Sequence, residues 1–567
     1  MTGKPWLKNY PAGMPEEINA DRYGSIPELL AAVAAEYGEL PAFHNLGCDL
    51  SYAEVDRLSR DLAAYLQGLP NLGPGDRVAI MSPNLLQYPV AVFGILRAGM
   101  TVVNVNPLYT APEVEHQLAD AGAKVIVIVE NFAATLQVAL PHTAIEHVIV
   151  TAVADQLPAP KRWLINAAVK YLKKMVPAWH IPGAVRWRAA LAAGARLPLK
   201  PVAIDAREDI AFLQYTGGTT GVAKGAMLTH RNMLANLEQM RLWVSSDFVP
   251  GKEVVIAPLP LYHVFSLSST LAFMQMGART VLITNPRDMK GFVAELTRWK
   301  FSVMTGVNTL FAGLMNAEGF KNLDFSSMKV VVGGGSAVQR GVAERWFGMT
   351  GHHIVEAYGL TETSPGVCAN VLGTPWSGSV GLPTPSTLVS IRNDQFEPLP
   401  LWNGEGSPEP CIGEICVSGP QVMKGYWNAP EDTASVMQDG WLKTGDVGYM
   451  DEEGRITLTD RKRDMILVSG FNVYPGEVEN VVSMLPGVLE CGAVGVPDEH
   501  SGEAVRVVIV KRDPSLTREA VIEHCRSHLT GYKRPRQVEF VAALPKNSVG
   551  KVLRRELRDL PHSPTSV

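Results

Sequence analysis

The feature that most constrains the fold is a regular alternation, from Arg77 onward, between short apolar runs and segments of helical length. Apolar runs of this length, rich in Val and Ile, are typical of buried strands, whereas longer periodic stretches are typical of helices. Strands that alternate with helices form parallel sheets covered by helices on both faces. The predicted strands are residues 78–81, 101–104, 125–129, 147–150, 254–257, 279–283, 301–305 and 330–332, and the predicted helices include residues 85–96 and 113–120. We therefore expect two α/β lobes.

The pattern changes in the last third of the chain. Residues 373–400 are rich in Gly and Pro, and strand-like runs follow at 412–417 and 455–458, which indicates a β-rich region. A charge cluster at 460–464 then marks a domain boundary, and the roughly one hundred residues after it suffice for a small α+β domain. Its predicted strands are 465–468, 492–496 and 505–510, and its predicted helices are 475–484 and 518–528. The expected architecture is a large α/β N-terminal domain of residues 1–459, with two sheet lobes and a β-rich subdomain, and a C-terminal α+β domain of residues 460–567.

Composition excludes some classes of function. At 567 residues the chain is too long for one ordinary core, and its net charge of −5 argues against nucleic-acid binding, for which a basic domain is expected. The six cysteines include no CxxC pair, so reduced thiols are expected rather than a zinc site. No signal-peptide segment opens the chain, and no run reaches the roughly eighteen apolar residues that span a bilayer. We expect a cytoplasmic protein; peripheral contact with the inner face of the cell membrane and a homodimer are left open.

The clearest sign of chemistry is the segment 215–225, which reads Tyr-Thr-Gly-Gly-Thr-Thr-Gly-Val-Ala-Lys-Gly. Its glycines let backbone N–H groups approach an anion closely, and its hydroxyls and Lys224 add donors, which is the chemistry of a triphosphate cradle. The spacing is not that of a Walker A motif, because Val222 stands where that motif needs its second glycine. A flexible Gly/Thr turn is the structural alternative.

Further blocks follow this segment in order. They read Ala-Tyr-Gly-Leu-Thr-Glu-Thr-Ser-Pro at 357–365, Gly-Trp-Leu-Lys-Thr-Gly-Asp at 440–446 and Pro-Lys-Asn-Ser-Val-Gly-Lys at 545–551, with a longer block at 460–479. Together the blocks resemble the adenylate-forming superfamily of acyl-CoA synthetases, adenylation domains and luciferases, over nearly the whole chain. The block at 460–479 is most similar to bacterial long-chain fatty-acyl-CoA synthetases. The resemblance implies an acid–thiol ligase that uses ATP and Mg²⁺ to convert a fatty acid to acyl-AMP, and then transfers the acyl group to CoA.

The resemblance also implies a set of nucleotide-binding residues. Thr361 would bond the α-phosphate, and Glu362 would hold Mg²⁺, which favours one carboxylate together with phosphate oxygens. Tyr358 would lie beside the adenine, and Asp446 would accept bonds from the ribose hydroxyls. A structural turn is the alternative for the three glycines at 333–335. The full ATP- and AMP-binding set is Thr216, Gly217, Gly218, Thr219, Thr220, Gly221, Lys224, Gly333, Gly334, Gly335, Tyr358, Gly359, Thr361, Glu362, Asp446 and Arg461.

The catalytic residues implied by the resemblance are Lys551, Thr361 and His263. Lys551 matches the lysine that bridges the acyl carboxylate and the α-phosphate as charge develops. His263, in Pro-Leu-Tyr-His-Val-Phe at 260–265, matches a position beside the acyl carboxylate. A histidine with a purely structural role is an equal alternative for His263, and a basic surface patch is the alternative for Lys551.

Lys551 serves only the first half-reaction in this superfamily, so the resemblance implies a mobile C-terminal domain with a hinge near 460–464. Arg463 occupies the hinge position. Reorientation would then bring Gly470, Phe471 and Asn472 to the site, where Gly470 leaves room for the pantetheine arm of CoA.

One segment departs from the minimal pattern of the superfamily. Residues 161–200 contain nine Lys and Arg residues, several aromatic residues, and no Asp or Glu. A basic amphipathic helix with aromatic residues at its edge is typical of contact with a membrane surface. A helix packed on its own protein and a basic oligomer interface are the structural alternatives.

Other functions remain as alternatives at this stage. Within the superfamily they are a medium-chain or aryl acyl-CoA ligase and a fatty-acyl-AMP ligase that serves a carrier protein. Outside enzymes, the alternative is a catalytically dead lipid-binding relative. The presence of Lys224, Glu362, Asp446 and Lys551 argues against the last of these.

Overall fold

The computed structural model of the protein describes residues 3–216, 223–461, 464–469, 471–498, 500–548 and 550–560, apart from the side chains of Arg461 and Asn472. Short 3-10 turns connect several of the elements. The strands are β1 (Pro41–Asn45), β2 (Cys48–Ser51), β3 (Arg77–Met81), β4 (Thr101–Val105), β5 (Val125–Val129), β6 (His147–Thr151), β7 (Val185–Arg186), β8 (Ile210–Thr216), β9 (Lys224–Thr229), β10 (Val254–Ala257), β11 (Arg279–Leu282), β12 (Val303–Gly306), β13 (Val330–Gly333), β14 (Ile354–Gly359), β15 (Gly366–Ala369), β16 (Leu382–Pro383), β17 (Leu388–Arg392), β18 (Gly413–Ser418), β19 (Gly425–Tyr426), β20 (Met437–Gln438), β21 (Trp441–Met450), β22 (Ile456–Arg461), β23 (Ile466–Val468), β24 (Phe471–Val473), β25 (Val488–Asp498), β26 (Gly502–Lys511) and β27 (Gln537–Val541).

Some of the helices begin at a side-chain cap. Ser51, for example, accepts the Glu54 N–H at 3.2 Å, and the Glu54 carboxylate accepts the Ser51 N–H at 2.9 Å, which forms a capping box at the start of α2. The helices are α1 (Ile26–Tyr37), α2 (Tyr52–Gln67), α3 (Gln87–Arg97), α4 (Ala111–Ala121), α5 (Ala133–Ala139), α6 (Lys161–Ala167), α7 (Trp187–Gly194), α8 (His230–Val244), α9 (Val264–Met274), α10 (Met289–Leu296), α11 (Asn308–Met315), α12 (Arg340–Thr350), α13 (Pro430–Val436), α14 (Pro475–Ser483), α15 (Arg518–His528) and α16 (Arg554–Arg558).

The first lobe is built on a sheet with the order β19-β9-β8-β4-β3-β5-β6-β7. Strands β3 to β8 pair in parallel, and β9 returns antiparallel to β8. Helices α1, α2, α3 and α7 cover one face, and α4 and α5 cover the other. The lobe therefore has the covered parallel sheet that the alternation predicted.

The second lobe is built on a sheet with the order β16-β15-β14-β13-β12-β10-β11-β1-β2. Strands β1 and β10 to β14 are parallel, whereas β2, β15 and β16 are antiparallel additions at the edges. The hairpin of β1 and β2 comes from the start of the chain, so the N-terminal segment completes this second sheet. Two α/β lobes were predicted, and both are confirmed.

Helix α9 joins the two lobes. All its side chains are buried, including those of its serine and threonine residues. Leu267 packs with the core of the first lobe, and Phe265 packs with the core of the second. The hydroxyls of Ser266 and Ser268 donate to the carbonyl oxygens of Leu259 and Ser364, at 2.7 and 2.8 Å. Because α9 begins at the junction of the lobes, the residue that precedes it lies between them.

The last two sheets form the β-rich region and the C-terminal domain. The order β17-β18-β21-β20, with β22 on β21, follows the second lobe, as predicted. In the C-terminal domain, the order is β24-β23-β26-β25 with β27 on β26, and α14 and α15 pack on this sheet.

Helix α12 of the second lobe faces α14 of the C-terminal domain, and a Cβ added to Gly341 on α12 would lie 2.2 Å from the carbonyl oxygen of Ser483. The two domains therefore touch backbone to backbone at this glycine.

The segment 161–200 differs from the single amphipathic helix that was predicted. Helix α6 is followed by a π-helical turn, Ala168–Leu172, and helical structure stops there. Lys174 then has a φ of +51°, outside the helical region, and Pro177 and Pro182 would interrupt any helix that continued further, because proline lacks the N–H that a helix interior needs. Trp187 is fully buried, and its indole N–H donates to Gln156 Oε1 at 2.9 Å, so this aromatic residue belongs to the core.

Among the described residues, no helix combines the length and the apolar character that crossing a bilayer requires.

Candidate active site

The predicted nucleotide-binding residues lie where strands of the two lobes end. Thr216 ends β8 and lies opposite Lys224 in the pairing with β9. Gly333 ends β13, and Gly359 ends β14. In open α/β sheets, ligands bind outside the carboxyl ends of the strands. This placement therefore fits a binding site at the mouth between the lobes.

Tyr358 and Asp446, predicted from separate blocks, contact each other directly. The Tyr358 hydroxyl donates to Asp446 Oδ2 at 2.8 Å, and both residues are buried. Burial, reinforced by the adjacent carboxylate, raises the pKa of Tyr358 well above its usual value, so the phenol remains a donor. Asp446 also lies opposite Arg461 in the register of β21 and β22. The bond links the second lobe to the β-rich subdomain.

Glu362 and Lys224 are also brought together, through a residue that the sequence did not single out. The Tyr426 hydroxyl donates to Glu362 Oε1 at 2.7 Å. The Lys224 ammonium lies 5.6 Å from the centre of the Tyr426 ring and pairs with the carboxylate of Asp432. Thr361 and Glu362 form a short 3-10 turn, Thr361–Thr363, directly after β14. A hard carboxylate oxygen and an ammonium side by side are suited to a magnesium–polyphosphate ligand.

The glycines at 333–335 have structural reasons to be glycine. A Cβ on Gly333 would lie 2.6 Å from Val338, and one on Gly334 would lie 3.1 Å from the ring of Phe265. Gly335 has a φ of +73°, in the left-handed region that other residues rarely adopt. Gly359 is equally constrained, since a Cβ there would meet the Pro365 carbonyl oxygen at 1.8 Å. Close packing thus accounts for Gly333, Gly334 and Gly359, and backbone conformation accounts for Gly335.

Lys551 reaches the junction of the lobes on a hairpin of the C-terminal domain. The Gly550 carbonyl accepts from the Thr309 hydroxyl at 2.8 Å, and the Ser548 hydroxyl accepts from Asn106 Nδ2 at 3.1 Å. Within the hairpin, the Lys551 N–H donates to Asn547 Oδ1 at 2.9 Å. The hairpin, described at residues 546–548 and 550–552, therefore contacts the first lobe after β4 and the second lobe at α11.

His263 lies where this hairpin docks. Burial, with a smaller contribution from the positive charge of Lys551, lowers the pKa of His263 to about 4. His263 Nδ1 accepts the Phe265 N–H at 3.4 Å at the start of α9, so the histidine also has the structural role that was considered for it. A neutral imidazole whose Nδ1 accepts carries its proton on Nε2. His263 is thus a neutral donor beside a cation.

Glu356 is a buried carboxyl that the sequence analysis missed. It lies on β14 opposite Gly333 and is 6% exposed. Burial raises its pKa to about 8, although the Val338 N–H and the Trp376 indole oppose the shift. Its Oε2 has no partner among the described residues. A carboxylate inside the apolar run Ile-Val-Glu-Ala-Tyr is the sequence signal that could have revealed it.

Some predicted residues are not placed at this site. Phe471 lies on the C-terminal domain, is 54% exposed and stacks on Tyr532 with ring centres 4.8 Å apart. Others lie outside the described residues, namely Gly217, Gly218, Thr219, Thr220, Gly221, Arg463 and Gly470, together with the side chains of Arg461 and Asn472.

The fold and the site define a class of protein. Family models described as AMP-binding enzyme and AMP-binding enzyme C-terminal domain match residues 30–427 and 477–551. The chain belongs to the AMP-binding enzymes. The predicted membership of the adenylate-forming superfamily is confirmed.

Individual relatives are similar over almost the full length. The chain is 54% identical over 559 residues to the long-chain-fatty-acid–CoA ligase of Salmonella typhimurium, and the match covers 98% of each chain. It is 49% identical to the enzyme of the same name from Haemophilus influenzae, again over 98% of each chain. In fold, it is similar to the anthranilate CoA ligase AuaEII in complex with anthranoyl-AMP, with a TM-score of 0.83, 24% identity, and coverage of 96% of this chain and 98% of that chain.

We predict that replacing Glu356 by Gln stabilises the protein increasingly as the pH rises. The pKa of Glu356 is raised from 4.5 to about 8 in the folded protein. Below pH 4.5 the residue is protonated in both the folded and the unfolded state, so the free energies of unfolding of wild type and Glu356→Gln differ least there. Between pH 4.5 and 8, only the unfolded wild-type chain releases this proton. The free energy of unfolding of the wild type therefore falls by about 1.4 kcal/mol per pH unit relative to that of Glu356→Gln. Thermal melting from pH 5 to 8 measures the difference.

The matched control is Glu344→Gln, at a glutamate whose side chain is 58% exposed on α12. We expect its melting temperature to follow that of the wild type at every pH. A constant difference between Glu356→Gln and the wild type over the whole range would contradict the prediction.

Proposed function

We propose that the protein is a long-chain-fatty-acid–CoA ligase. It activates a fatty acid with ATP to acyl-AMP and pyrophosphate, and then transfers the acyl group to CoA with release of AMP. The observation that carries this proposal is the docking of Lys551 beside His263, at the mouth where Lys224, Glu362 and Asp446 also lie. The names of the relatives at 54% and 49% identity support the same activity and the long-chain substrate.

The phosphates of ATP would be bound by Lys224, Thr361 and the glycine-rich residues 217–221. Glu362 would hold Mg²⁺, which neutralises negative charge on the phosphates when it is bound. Asp446 would accept from the ribose hydroxyls, next to Tyr358, which is buried too deeply to ionise. These residues come from both lobes and from the β-rich subdomain, so the nucleotide would lie across their junction.

In the first half-reaction, an anionic carboxylate must approach an anionic α-phosphate. There is little covalent work for the protein, so its contribution is orientation and charge stabilisation. Lys551 would place a positive charge between the two groups, and the Nε2–H of His263 would donate to the carboxylate. Because the pKa of His263 is lowered to about 4, the histidine stays neutral at physiological pH and does not repel Lys551.

In the second half-reaction, the CoA thiol attacks the acyl carbon, AMP leaves with the electrons of the broken C–O bond, and Lys551 is no longer required. We infer a rotation of the C-terminal domain, residues 460–567, relative to residues 1–459, about a hinge at 460–464 that includes Arg463. The change of sheet between Arg461 on β22 and Ile466 on β23 supports this boundary. Rotation would bring Gly470, Phe471 and Asn472 to the pantetheine arm. A homodimer also stays a prediction.

We also propose that residues 161–175 contact a membrane surface, from which a long-chain fatty acid is drawn. Their exposed apolar residues are Trp163 (63% exposed), Leu164 (69%), Tyr171 (71%), Leu172 (80%) and Met175 (55%). Lys161, Arg162, Lys170, Lys173 and Lys174 lie among them, and the segment contains no acidic residue. Each basic residue near an anionic leaflet contributes about 1 kcal/mol, so this patch supports reversible binding.

The activity is tested by incubating the protein with ATP, Mg²⁺ and fatty acids of increasing chain length or benzoate, with and without CoA. We expect thioester formation to require CoA and to peak with long chains. Preference for short chains or benzoate would favour a medium-chain or aryl ligase. Acyl-AMP that accumulates without thioester would point to a ligase that serves a carrier protein, and no turnover of ATP at all would point to a catalytically dead relative.

We predict that Lys551→Ala slows only the first half-reaction. Removal of one donor to a developing charge typically costs about 10²–10³-fold in rate, so acyl-AMP formation should fall by this factor. Conversion of supplied acyl-AMP to acyl-CoA should continue at the wild-type rate. Arg555→Ala, at an exposed cation four residues further on, is the matched control. Equal loss of both half-reactions would remove Lys551 from the proposed role.

We predict that Leu172→Asp weakens binding to vesicles that contain phosphatidylglycerol, measured by co-sedimentation. The substitution removes exposed apolar surface and adds a negative charge within the basic patch. Val138→Asp, at an apolar residue that is 66% exposed elsewhere, should bind as the wild type does. Unchanged binding of Leu172→Asp would contradict the proposed membrane contact.

A further inference from the structure

A short segment of the chain touches both charged ends of the proposed phosphate site. This bridging segment, residues 423–436, contains β19 and α13. One of its residues, Tyr426, contacts both Glu362 and Lys224, and a second, Asp432, pairs with Lys224. Neither Tyr426 nor Asp432 belongs to the blocks from which the site was predicted.

The bridging segment is fixed to the strand that carries Lys224. Tyr426 pairs with Ala226 in the β19–β9 ladder, and the Trp427 N–H donates to the Gly225 carbonyl at 2.8 Å. The Tyr426 N–H donates to the Thr433 hydroxyl at 2.9 Å, which holds α13 against β19. The segment is therefore a rigid support and not a loop that happens to lie nearby.

The same segment is fixed to the turn that carries Glu362. The Met423 N–H donates to the Glu362 carbonyl at 2.8 Å, and the Tyr426 hydroxyl donates to Glu362 Oε1 at 2.7 Å. Backbone and side chain of Glu362 are thus both held by the bridging segment. Outer partners that orient a metal-binding carboxylate typically change metal affinity by about 10–100-fold when they are removed.

The pairing of Lys224 with Asp432 has the opposite effect on an incoming anion. The side chains are 41% and 43% exposed, so the ion pair is partly solvated, and such pairs are weak enough to exchange. While the Lys224 ammonium donates to Asp432, its positive charge is partly neutralised. It then attracts a phosphate less strongly. Asp432 also adds a negative charge where polyphosphate would bind.

We propose that Tyr426 and Asp432 together set the affinity of the site for Mg·ATP, an inference that rests on the proposed function. Tyr426 is a positioning residue that fixes the Glu362 carboxylate and the Lys224 ammonium in one frame. Asp432 competes with the phosphates of the nucleotide for Lys224. Tyr426 therefore raises the affinity for Mg·ATP, and Asp432, on the same segment, lowers it.

The test is binding of Mg·ATP to the full chain by titration calorimetry, without fatty acid or CoA. Asp432→Asn should bind roughly two- to fivefold more tightly, as expected for release of a partly exposed ion pair. Tyr426→Phe should bind more weakly, and its binding of Mn²⁺ in the presence of ATP, followed by paramagnetic resonance, should fall by about tenfold or more. The phenylalanine ring keeps its place beneath Lys224, so the fold should be retained.

Glu431→Gln is the control, because it removes one negative charge from an exposed neighbour of Asp432. It should bind Mg·ATP as the wild type does. Equal tightening by Glu431→Gln and Asp432→Asn would reduce the effect to general electrostatics and overturn the role of Asp432. Unchanged binding by Tyr426→Phe would overturn its positioning role. Failure of the wild-type protein to bind Mg·ATP would instead overturn the proposed function itself.

Discussion

The arrangement of the site depends on the contact between the C-terminal hairpin and the two lobes. Asn106 follows a strand of the first sheet, Thr309 lies on a helix of the second, and the hairpin bonds to both. Neither lobe alone presents the partner groups. The position of Lys551 is therefore fixed by the relative placement of two separately built sheets, and α9, which is buried in the cores of both, stabilises that placement.

Electrostatics explain why so many charged and polar groups are tolerated at this junction. His263 is kept neutral, since burial and the nearby cation lower its pKa to about 4. Glu356 is kept protonated to about pH 8 by burial, so two of the most enclosed titratable groups carry no charge near neutral pH. Lys224, Glu362 and Lys551, in contrast, are the groups proposed to meet Mg²⁺, the phosphates and the carboxylate. A site of this kind concentrates its field on the ligand.

Much of the fold could be predicted from the sequence, because buried parallel strands and amphipathic helices leave strong periodic signals. The strand at 125–129 and the helix at 518–528 have the predicted bounds. The pairing of β1 with β11 left no signal, since it joins segments far apart in the chain. For the same reason, the sequence did not reveal Tyr426 and Asp432, because Glu362 and Lys224 come near them only after folding. Glu356 did leave a signal, as a carboxyl group within an apolar strand. Pro177 and Pro182 indicate that no single helix runs through 161–200, but the end of the helix at Leu172, five residues earlier, left no such signal.

The backbone contact at Gly341 has a consequence for turnover. An enzyme that alternates between two domain arrangements works best when neither is much more stable than the other, because an overly stable one becomes a trap. At Gly341 the smallest residue allows α12 to lie directly against the end of α14, and even one methyl group would not fit there. In the proposed rotation of the C-terminal domain, a side-chain carbon at this position would act as a steric wedge that disfavours the domain arrangement of this structure and shifts the balance toward the other one.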